Sequence, residues 1–170
     1  MDPGSQEKLY RQYYGFAMGI CARYTRSSEE AIEVLNDGFY KILIHIRTYT
    51  PGYSFKGWVR RIMVNASIDH FRKYEAQHNM VDISYMKNDH LTPEVLSHMD
   101  EEVILKALRE LAPSYRLVFN LHVIEGYKHE EIAKILNISE GTSKSNLNVA
   151  RTKLQKVLSR EFERKVIKNG

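Results

Sequence analysis

Short polar side chains and two cations lie at regular intervals in the C-terminal third of this 170-residue chain. Thr142, Ser145 and Asn148 recur at intervals of three, and Lys144 and Arg151 flank them. At helical spacing the three short side chains share one face, with the cations at its edges. Hydroxyl and amide groups read base edges in the DNA major groove, while cations contact phosphates. The pattern therefore predicts a helix that binds duplex DNA.

The residues around this helix predict a helix-turn-helix. Asn137-Ile138-Ser139 has the composition of a tight turn, because asparagine tolerates unusual backbone angles and Ser139 is placed to cap the second helix. The predicted buried residues are Ile132, Ala133, Ile135 and Leu136 on the first helix and Leu147, Ala150, Leu154, Val157 and Leu158 on the second. An ordinary amphipathic helix pair is the alternative; the turn, the cap and small Ala133 favour the helix-turn-helix.

A second group of residues suited to nucleic acid lies in the N-terminal half. The segment RTYTPGY, residues 47–53, is predicted to be a loop fixed by Pro51-Gly52, and its two tyrosines could cradle a planar ring. Ser54 is predicted to cap the next helix, on which Trp58 is either a core residue or a partly exposed one. Bases stack on aromatic rings and arginine pairs with phosphate, so this region suits a single strand. The polar residues of the helix are Arg60, Arg61, Asn65, His70, Arg72 and Lys73.

Charge is distributed unevenly within the formal net charge of +4. Residues 51–75 hold five basic and two acidic side chains, and residues 139–170 hold eight and three. Residues 76–110 between them hold three basic and seven acidic side chains. Two basic segments separated by an acidic one predict two contacts with a polyanion, one in each half.

Helical periodicity runs through the chain, and no segment is predicted to be a strand. The prediction is an all-α protein of two small helical domains joined by a flexible linker at residues 76–98, which lose the periodicity. Ser28 and Ser114 are predicted helix caps, and Ile32, Leu35 and Phe39 are predicted to be buried. The helix that Ser28 is predicted to cap has five residues on its outward face, and by spacing alone they indicate a solvated face. They are Glu33, Asn36, Asp37, Tyr40 and Lys41.

Several kinds of chemistry are not expected. The seven histidines form no metal-binding motif, and there is no phosphate-binding glycine loop or nucleophile elbow. We therefore expect no enzyme, no metal and no cofactor. The single cysteine, Cys21, excludes an internal disulfide and is predicted to be buried. No apolar run reaches membrane-spanning length and no signal peptide is seen, so membrane insertion is not expected and the cytoplasm is the expected compartment.

The chain resembles bacterial RNA polymerase sigma factors of the extracytoplasmic-function group over nearly its whole length. The resemblance is carried by the segments NDGFYKI, SFKGWVRRIMVNASIDHFRK, LRELAPSYRLVFNLHVIEGYKHEEIAKILNIS and EGTSKSNLNVARTKL. A W-x-x-R-I-x-x-N-x-x-x-D helix combined with the downstream helix-turn-helix is much more selective than the latter alone. The resemblance implies region two at residues 5–75, a linker at 76–98 and region four at 99–165.

The resemblance also implies partners and roles. Such a protein binds core RNA polymerase through the clamp helices of the largest subunit and the flap, recognises the −35 and −10 promoter elements, and helps to open the DNA. Many relatives are inhibited by an anti-sigma factor, so one is expected here. The implied polymerase contacts are Glu33, Asn36, Asp37 and Tyr40. The implied −10 contacts are Arg47, Tyr49, Tyr53, Ser54, Trp58, Arg60, Arg61, Asn65, Arg72 and Lys73. The implied −35 contacts are Thr142, Lys144, Ser145, Asn146, Asn148 and Arg151, with Arg116 and Lys128 at phosphates.

Three positions depart from expectation. Family members often carry valine at the position of Ser143 and arginine at that of Asn146; Ser143 is predicted to pack as a small buried residue, and Asn146 suits adenine. Gly38 costs about 1 kcal/mol against alanine within a helix, and it would permit close approach of a partner. The alternative function is a stand-alone helix-turn-helix regulator with a sensing or dimerisation lobe. An enzyme acting on RNA would need a catalytic constellation that the sequence does not contain.

Overall fold

The protein folds into two compact helical units. The structure is a computed structural model. It describes the backbone of residues 2–78 and 101–168 and the side chains of residues 2–74 and 101–160. The described residues contain no strand, apart from an isolated bridge between Pro51 and Tyr53. The all-α, two-domain prediction is therefore confirmed. Among the described helices, none is both long and apolar enough to cross a membrane.

The first unit is a three-helix domain. Its helices are α1, Pro3–Tyr24; α2, Ser28–His45; and α3, Phe55–His78, with a 3-10 turn at Ile46–Thr48 after α2. Asp2 caps α1, and Ser27 caps α2 by accepting a hydrogen bond from the Glu30 backbone amide at 3.2 Å. The prediction of Ser28 as the cap was wrong by one residue. Helix α3 continues three residues into the predicted linker, and residues 79–98 of that linker lie outside the described residues.

Helix α2 packs against both α1 and α3, and this decides which of its residues are buried. Leu35 and Phe39 are buried as predicted, whereas Ile32 is 42% exposed and its predicted burial was wrong. The buried face instead includes the small residues Ala31 and Gly38, which allow the neighbouring helices to approach closely. Spacing alone favoured the larger Ile32, because it cannot reveal how many neighbours a helix has.

Gly38 marks the closest approach of α2 and α3. A Cβ atom at this position would overlap the sulfur of Met63 and lie 3.0 Å from its terminal methyl carbon. Met63 and Cys21 are both fully buried, with their sulfur atoms 3.9 Å apart. Burial raises the pKa of the Cys21 thiol to about 12, as expected for a small core residue. Gly38 therefore admits a neighbouring helix of the same domain.

The second unit contains the remaining helices. They are α4, Glu101–Arg109; α5, Pro113–Phe119, continued by a π-helical segment at Asn120–Ile124; α6, His129–Leu136; and α7, Glu140–Lys168. Pro113 is the first residue of α5, so Ser114 lies inside the helix and its predicted capping role was wrong. Gly126 ends the π-helical segment with φ +79°, as its position after the helix predicts. The core of the unit includes Leu108, Phe119, Ile132, Leu147 and Leu154.

Candidate nucleic-acid interface

Helices α6 and α7 form a helix-turn-helix with the turn chemistry that the sequence predicts. Asn137 adopts the left-handed conformation, with φ 53° and ψ 46°. The amide of Ile138 donates a hydrogen bond to the Ala133 carbonyl at 3.0 Å, which closes the end of α6. The Ser139 hydroxyl accepts a hydrogen bond from the Thr142 amide at 2.9 Å and so caps α7. The angle between the two helices is therefore fixed by local hydrogen bonds.

The predicted DNA-reading face lies on the side of α7 away from its core. Thr142 and Lys144 are exposed, and the half-buried residues are Ser145, Asn146, Asn148 and Arg151. Leu147, Ala150 and Leu154 are buried as predicted, so these polar groups belong to the opposite side of the helix. Lys144 forms an exposed ion pair with Glu140 at 3.5 Å, an interaction weak enough for the lysine to exchange its partner for phosphate.

A histidine pair links the first turn of α6 to α7. Ser143 is fully buried, as predicted, and its hydroxyl lies 2.9 Å from Nδ1 of His129. The His129 ring stacks on the ring of His122, with centroids 4.3 Å apart and 15° between the planes. Burial, reinforced by the positive charges of His122 and Lys144, lowers the pKa of His129 below its ordinary value. A neutral imidazole is thus favoured at this junction.

Two residues predicted to contact phosphates occupy different positions. Lys128 is exposed immediately before α6, and its backbone amide donates to a Glu131 carboxylate oxygen at 2.7 Å. Arg116 is only 2% exposed within α5. A buried guanidinium cannot reach a phosphate outside the unit, so this prediction for Arg116 was wrong. The helical spacing of the sequence did not indicate which face of α5 carries Arg116, and its exposure was inferred from its charge alone.

The loop before α3 carries an aromatic cluster. The Tyr49 ring contacts the rings of Phe55 and Trp58, at centroid distances of 5.0 and 5.7 Å. Tyr13 of α1 contacts Phe55 at 5.2 Å, so the cluster joins the loop to two helices. Tyr53 is 77% exposed, whereas Tyr49 and Trp58 are half-buried. The loop thus carries one exposed tyrosine ring and one that packs within the aromatic cluster.

The cations of this region divide into two groups. Arg47 of the 3-10 turn and Arg61 of α3 are exposed, as is the neutral Asn65, and Arg60 is half-buried. Near the end of the helix, Arg72 lies 3.3 Å from Asp69, and Lys73 lies 4.0 Å from Asp37 of α2. Both pairs are largely exposed, so they cost little to separate when a phosphate competes for the cation. Ser54 caps α3 as predicted, with its hydroxyl 3.1 Å from the Gly57 amide.

One side of α2 stays exposed although α1 and α3 pack against the helix. Glu33, Asn36 and Asp37 are exposed along it, and Tyr40 is 66% exposed. Ile44 continues the surface at 54% exposure. Large exposed apolar side chains beside acidic ones are typical of a surface that binds another protein. The solvated face that spacing indicates therefore also carries apolar area.

Comparison with known proteins gives the family of the chain. A model described as Sigma-70 region 2 matches residues 9–77, and one described as Sigma-70, region 4 matches residues 101–154. Together the two matches span well over half of the sequence. The chain belongs to the sigma-70 family.

Relatives of this sigma factor align with it over most of its length. The sigma factor YlaC of Bacillus subtilis is 29% identical over 170 residues, covering 94% of this chain and 96% of the relative. The extracytoplasmic-function sigma factor SigM of the same organism is 28% identical, covering 91% and 95%. CarQ of Myxococcus xanthus is 28% identical, covering 89% and 88%.

A solved structure of similar fold is the sigma factor RpoE of Bartonella quintana, in complex with the anti-sigma factor NepR. It has a TM-score of 0.53 and 21% identity, covering 90% of this chain and 96% of that chain.

The presence of both sigma regions gives the function. This sigma factor directs promoter-specific initiation by RNA polymerase and is not a stand-alone regulator.

Sequence reasoning missed three features of this sigma factor. Tyr13 of α1 extends the aromatic cluster, and the sequence predicts no role for it. The stacking of His122 on His129 depends on the π-helical segment, which no periodicity signals. The exposure of Ile44 follows from the three-helix packing, and its position outside the strongest apolar spacing was the available signal.

Proposed function

We propose that the two units divide promoter recognition, with the first unit holding polymerase and the opened −10 strand and the second holding the −35 duplex. The protein would act in the cytoplasm, where RNA polymerase works, as a non-catalytic initiation factor. The observation that carries the proposal is that one unit has an exposed tyrosine on a loop with an aromatic cluster, and the other unit has a capped helix-turn-helix. These suit an unpaired base and a major groove respectively.

The exposed surface of α2 is the proposed polymerase contact. Asn36, Asp37 and Tyr40 would face the clamp helices of the largest subunit, with Glu33 beside them and Ile44 adding apolar area. Tyrosine is frequent among residues that dominate binding energy at protein interfaces, whereas exposed acidic groups mainly guide the approach of a basic partner. We therefore expect Tyr40 to contribute most of the affinity on this surface and Asp37 most of the specificity.

The loop before α3 is the proposed site of strand opening. Extruding a base costs a few kcal/mol, and stacking on an aromatic side chain returns about 1–3 kcal/mol per base. Tyr53 is the most exposed ring for that purpose, with Arg47 and Asn65 exposed nearby in sequence. The proposed backbone contacts are Arg60, Arg61, Arg72 and Lys73, the last two after leaving their acidic partners. Opening without ATP is then driven by binding energy.

The outward face of α7 is the proposed −35 reader. Asn146 and Asn148 suit adenine, because an amide pairs bidentately with its major-groove edge. Thr142 and Ser145 add shorter hydrogen-bonding groups, while Lys144, Arg151 and Lys128 would contact phosphates. An anti-sigma factor is a further proposed partner, supported by the fold shared with a sigma factor solved in such a complex.

The proposal is tested by separating polymerase binding from duplex binding. We expect Asp37→Arg to weaken co-purification with core polymerase at least tenfold, because the arginine repels a basic partner surface. Lys144→Ala should leave core binding unchanged and weaken binding of the holoenzyme to duplex promoter DNA several-fold. Run-off transcription measures the combined result.

Glu7→Arg supplies the matched control for the charge reversal, since Glu7 is exposed on α1 and is not one of the proposed contacts. It should bind core polymerase like the unchanged protein. If Asp37→Arg and Lys144→Ala impair the same step, the division of roles between the two units is wrong.

A further inference from the structure

The loop between α2 and α3 is held in shape before any DNA binds. The amide of Tyr49 donates a hydrogen bond to the Ile46 carbonyl at 3.3 Å, and that of Tyr53 donates to the Thr50 carbonyl at 3.5 Å. Pro51 and Gly52 occupy the centre of this second turn, and Gly52 has φ +107°, which favours glycine. These features make residues 49–53 a short, closed loop.

The two tyrosines of the loop have opposite environments. Tyr49 is half-buried, and its ring contacts Phe55 edge-on at 89° and Trp58 at 54°. Its hydroxyl donates a hydrogen bond to the carbonyl oxygen of Tyr53 at 2.6 Å. Tyr53 is 77% exposed, and no ring contact to its side chain is found among the described residues. One tyrosine thus spans the loop from inside, and the other faces solvent.

We infer that Tyr49 is a positioning residue that fixes the backbone of Tyr53, and that the Tyr53 ring alone is the stacking platform for the unpaired base. This corrects the prediction that both tyrosines contact DNA, and it rests on the proposed function of the loop. The Tyr49 ring is half-buried and already packs against Phe55 and Trp58, whereas the Tyr53 ring is 77% exposed and therefore offers a base far more open surface.

This arrangement preorganises the loop backbone at Tyr53 for binding a base. An exposed tyrosine on a free loop would lose backbone entropy of about 1–2 kcal/mol per residue when it is ordered by a base. The Tyr49 hydroxyl holds the carbonyl of Tyr53, and the Tyr49 ring is held by two aromatic neighbours. The loop backbone is therefore already ordered in the folded protein. The free energy of stacking can then offset the free-energy cost of unpairing the base.

The experiment uses holoenzyme and a promoter that it transcribes, with 2-aminopurine placed in turn at each −10 position of the non-template single strand. Stacking quenches 2-aminopurine fluorescence, and titration gives the affinity. We expect Tyr53→Leu to abolish the quenching at one position and to weaken binding about tenfold or more. Tyr53→Phe should behave like the unchanged protein, because it keeps the ring.

Tyr49→Phe is the decisive variant, because it removes only the hydroxyl and keeps the ring contacts. We expect it to weaken strand binding about three- to tenfold, with partial loss of quenching at the same position, through loss of one hydrogen bond. Tyr14→Phe removes a hydroxyl from an exposed tyrosine of α1 and should change neither quantity. Binding of core polymerase and duplex −35 DNA should be the same for all four variants.

The possible results separate the inference from the proposed function. If Tyr53→Leu is impaired while Tyr49→Phe matches the unchanged protein, Tyr49 has no positioning role and the inference fails, although the loop still captures a base. If Tyr49→Phe is impaired and Tyr53→Leu is not, Tyr49 itself contacts DNA and the inference is overturned. If neither variant is impaired, the proposed base capture by this loop is wrong.

Discussion

At the scale of single residues, Gly38 gives the sharpest prediction. Alanine there should gain about 1 kcal/mol in helix propensity but must displace the buried Met63 sulfur, at a cost of about 1–3 kcal/mol. We expect Gly38→Ala to lower the free energy of unfolding of the full chain by up to about 2 kcal/mol in urea titrations. Gly15 of α1 is the matched control, because nothing lies within 4 Å of an added Cβ, so Gly15→Ala should stabilise the chain.

The role of Met63 can be tested directly. In a chain that already carries Met63→Ala, the space beside Gly38 is open, and Gly38→Ala should become neutral or stabilising. Equal destabilisation in both backgrounds would show that the contact with Met63 does not explain the glycine. The sequence drew attention to Gly38 as an unfavourable helix residue, but only packing identifies the neighbour that requires it.

At the scale of elements, the junction between the π-helical segment, α6 and α7 should be sensitive to acid. His129 is surrounded by His122 from the π-helical segment and by Lys144 and Arg151 from α7, with Glu140 of α7 as the opposing charge. Its pKa in the folded chain lies below the ordinary value of 6.5, mainly through burial. The unfolded chain therefore takes up the proton first, so this contribution to stability is present above about pH 6.5 and is lost as the pH falls below it.

Hydrogen–deuterium exchange of peptides from α6 and α7 measures this effect in the full chain. The protection of the unchanged protein relative to His129→Gln should fall between pH 7.5 and pH 5.5, since comparison at equal pH cancels the intrinsic exchange rate. His45→Gln, at an exposed site in the other unit, should leave these peptides unchanged. A ratio that is constant with pH would contradict a titrating role for His129.

Features of single helices and turns include both the best and the worst predictions from the sequence. The turn at Asn137 and the cap at Ser139 were predictable, because the chemistry that fixes them lies within a few residues. The exposure of Ile32 on α2 and the burial of Arg116 were not predictable from the sequence. Both depend on which helices, far away in the sequence, pack against these residues. The site is similar: residue types in the loop suggested a ring-binding surface, but the opposite roles of its tyrosines required their contacts.

At the scale of the whole molecule, the sigma factor should bind a promoter through two energetically separate contacts. Arg61 is exposed on α3 of the first unit, and Lys144 is exposed on α7 of the second. Losses at distant sites with no shared partner add as free energies. We therefore expect Arg61→Ala and Lys144→Ala each to raise the Kd of the holoenzyme for promoter DNA several-fold, and the double variant to raise it by the product of the two factors.

Salt dependence supplies an independent measure of the same prediction. Each lost phosphate contact should reduce the slope of log K against log salt by about 1, so the double variant should lose about twice as much slope as either single variant. Lys8→Ala removes an exposed cation of α1 and should leave both the Kd and the slope unchanged. A double variant that binds no worse than the weaker single variant would mean that the two units do not hold the same promoter at once, because each loss would then be felt in a different complex.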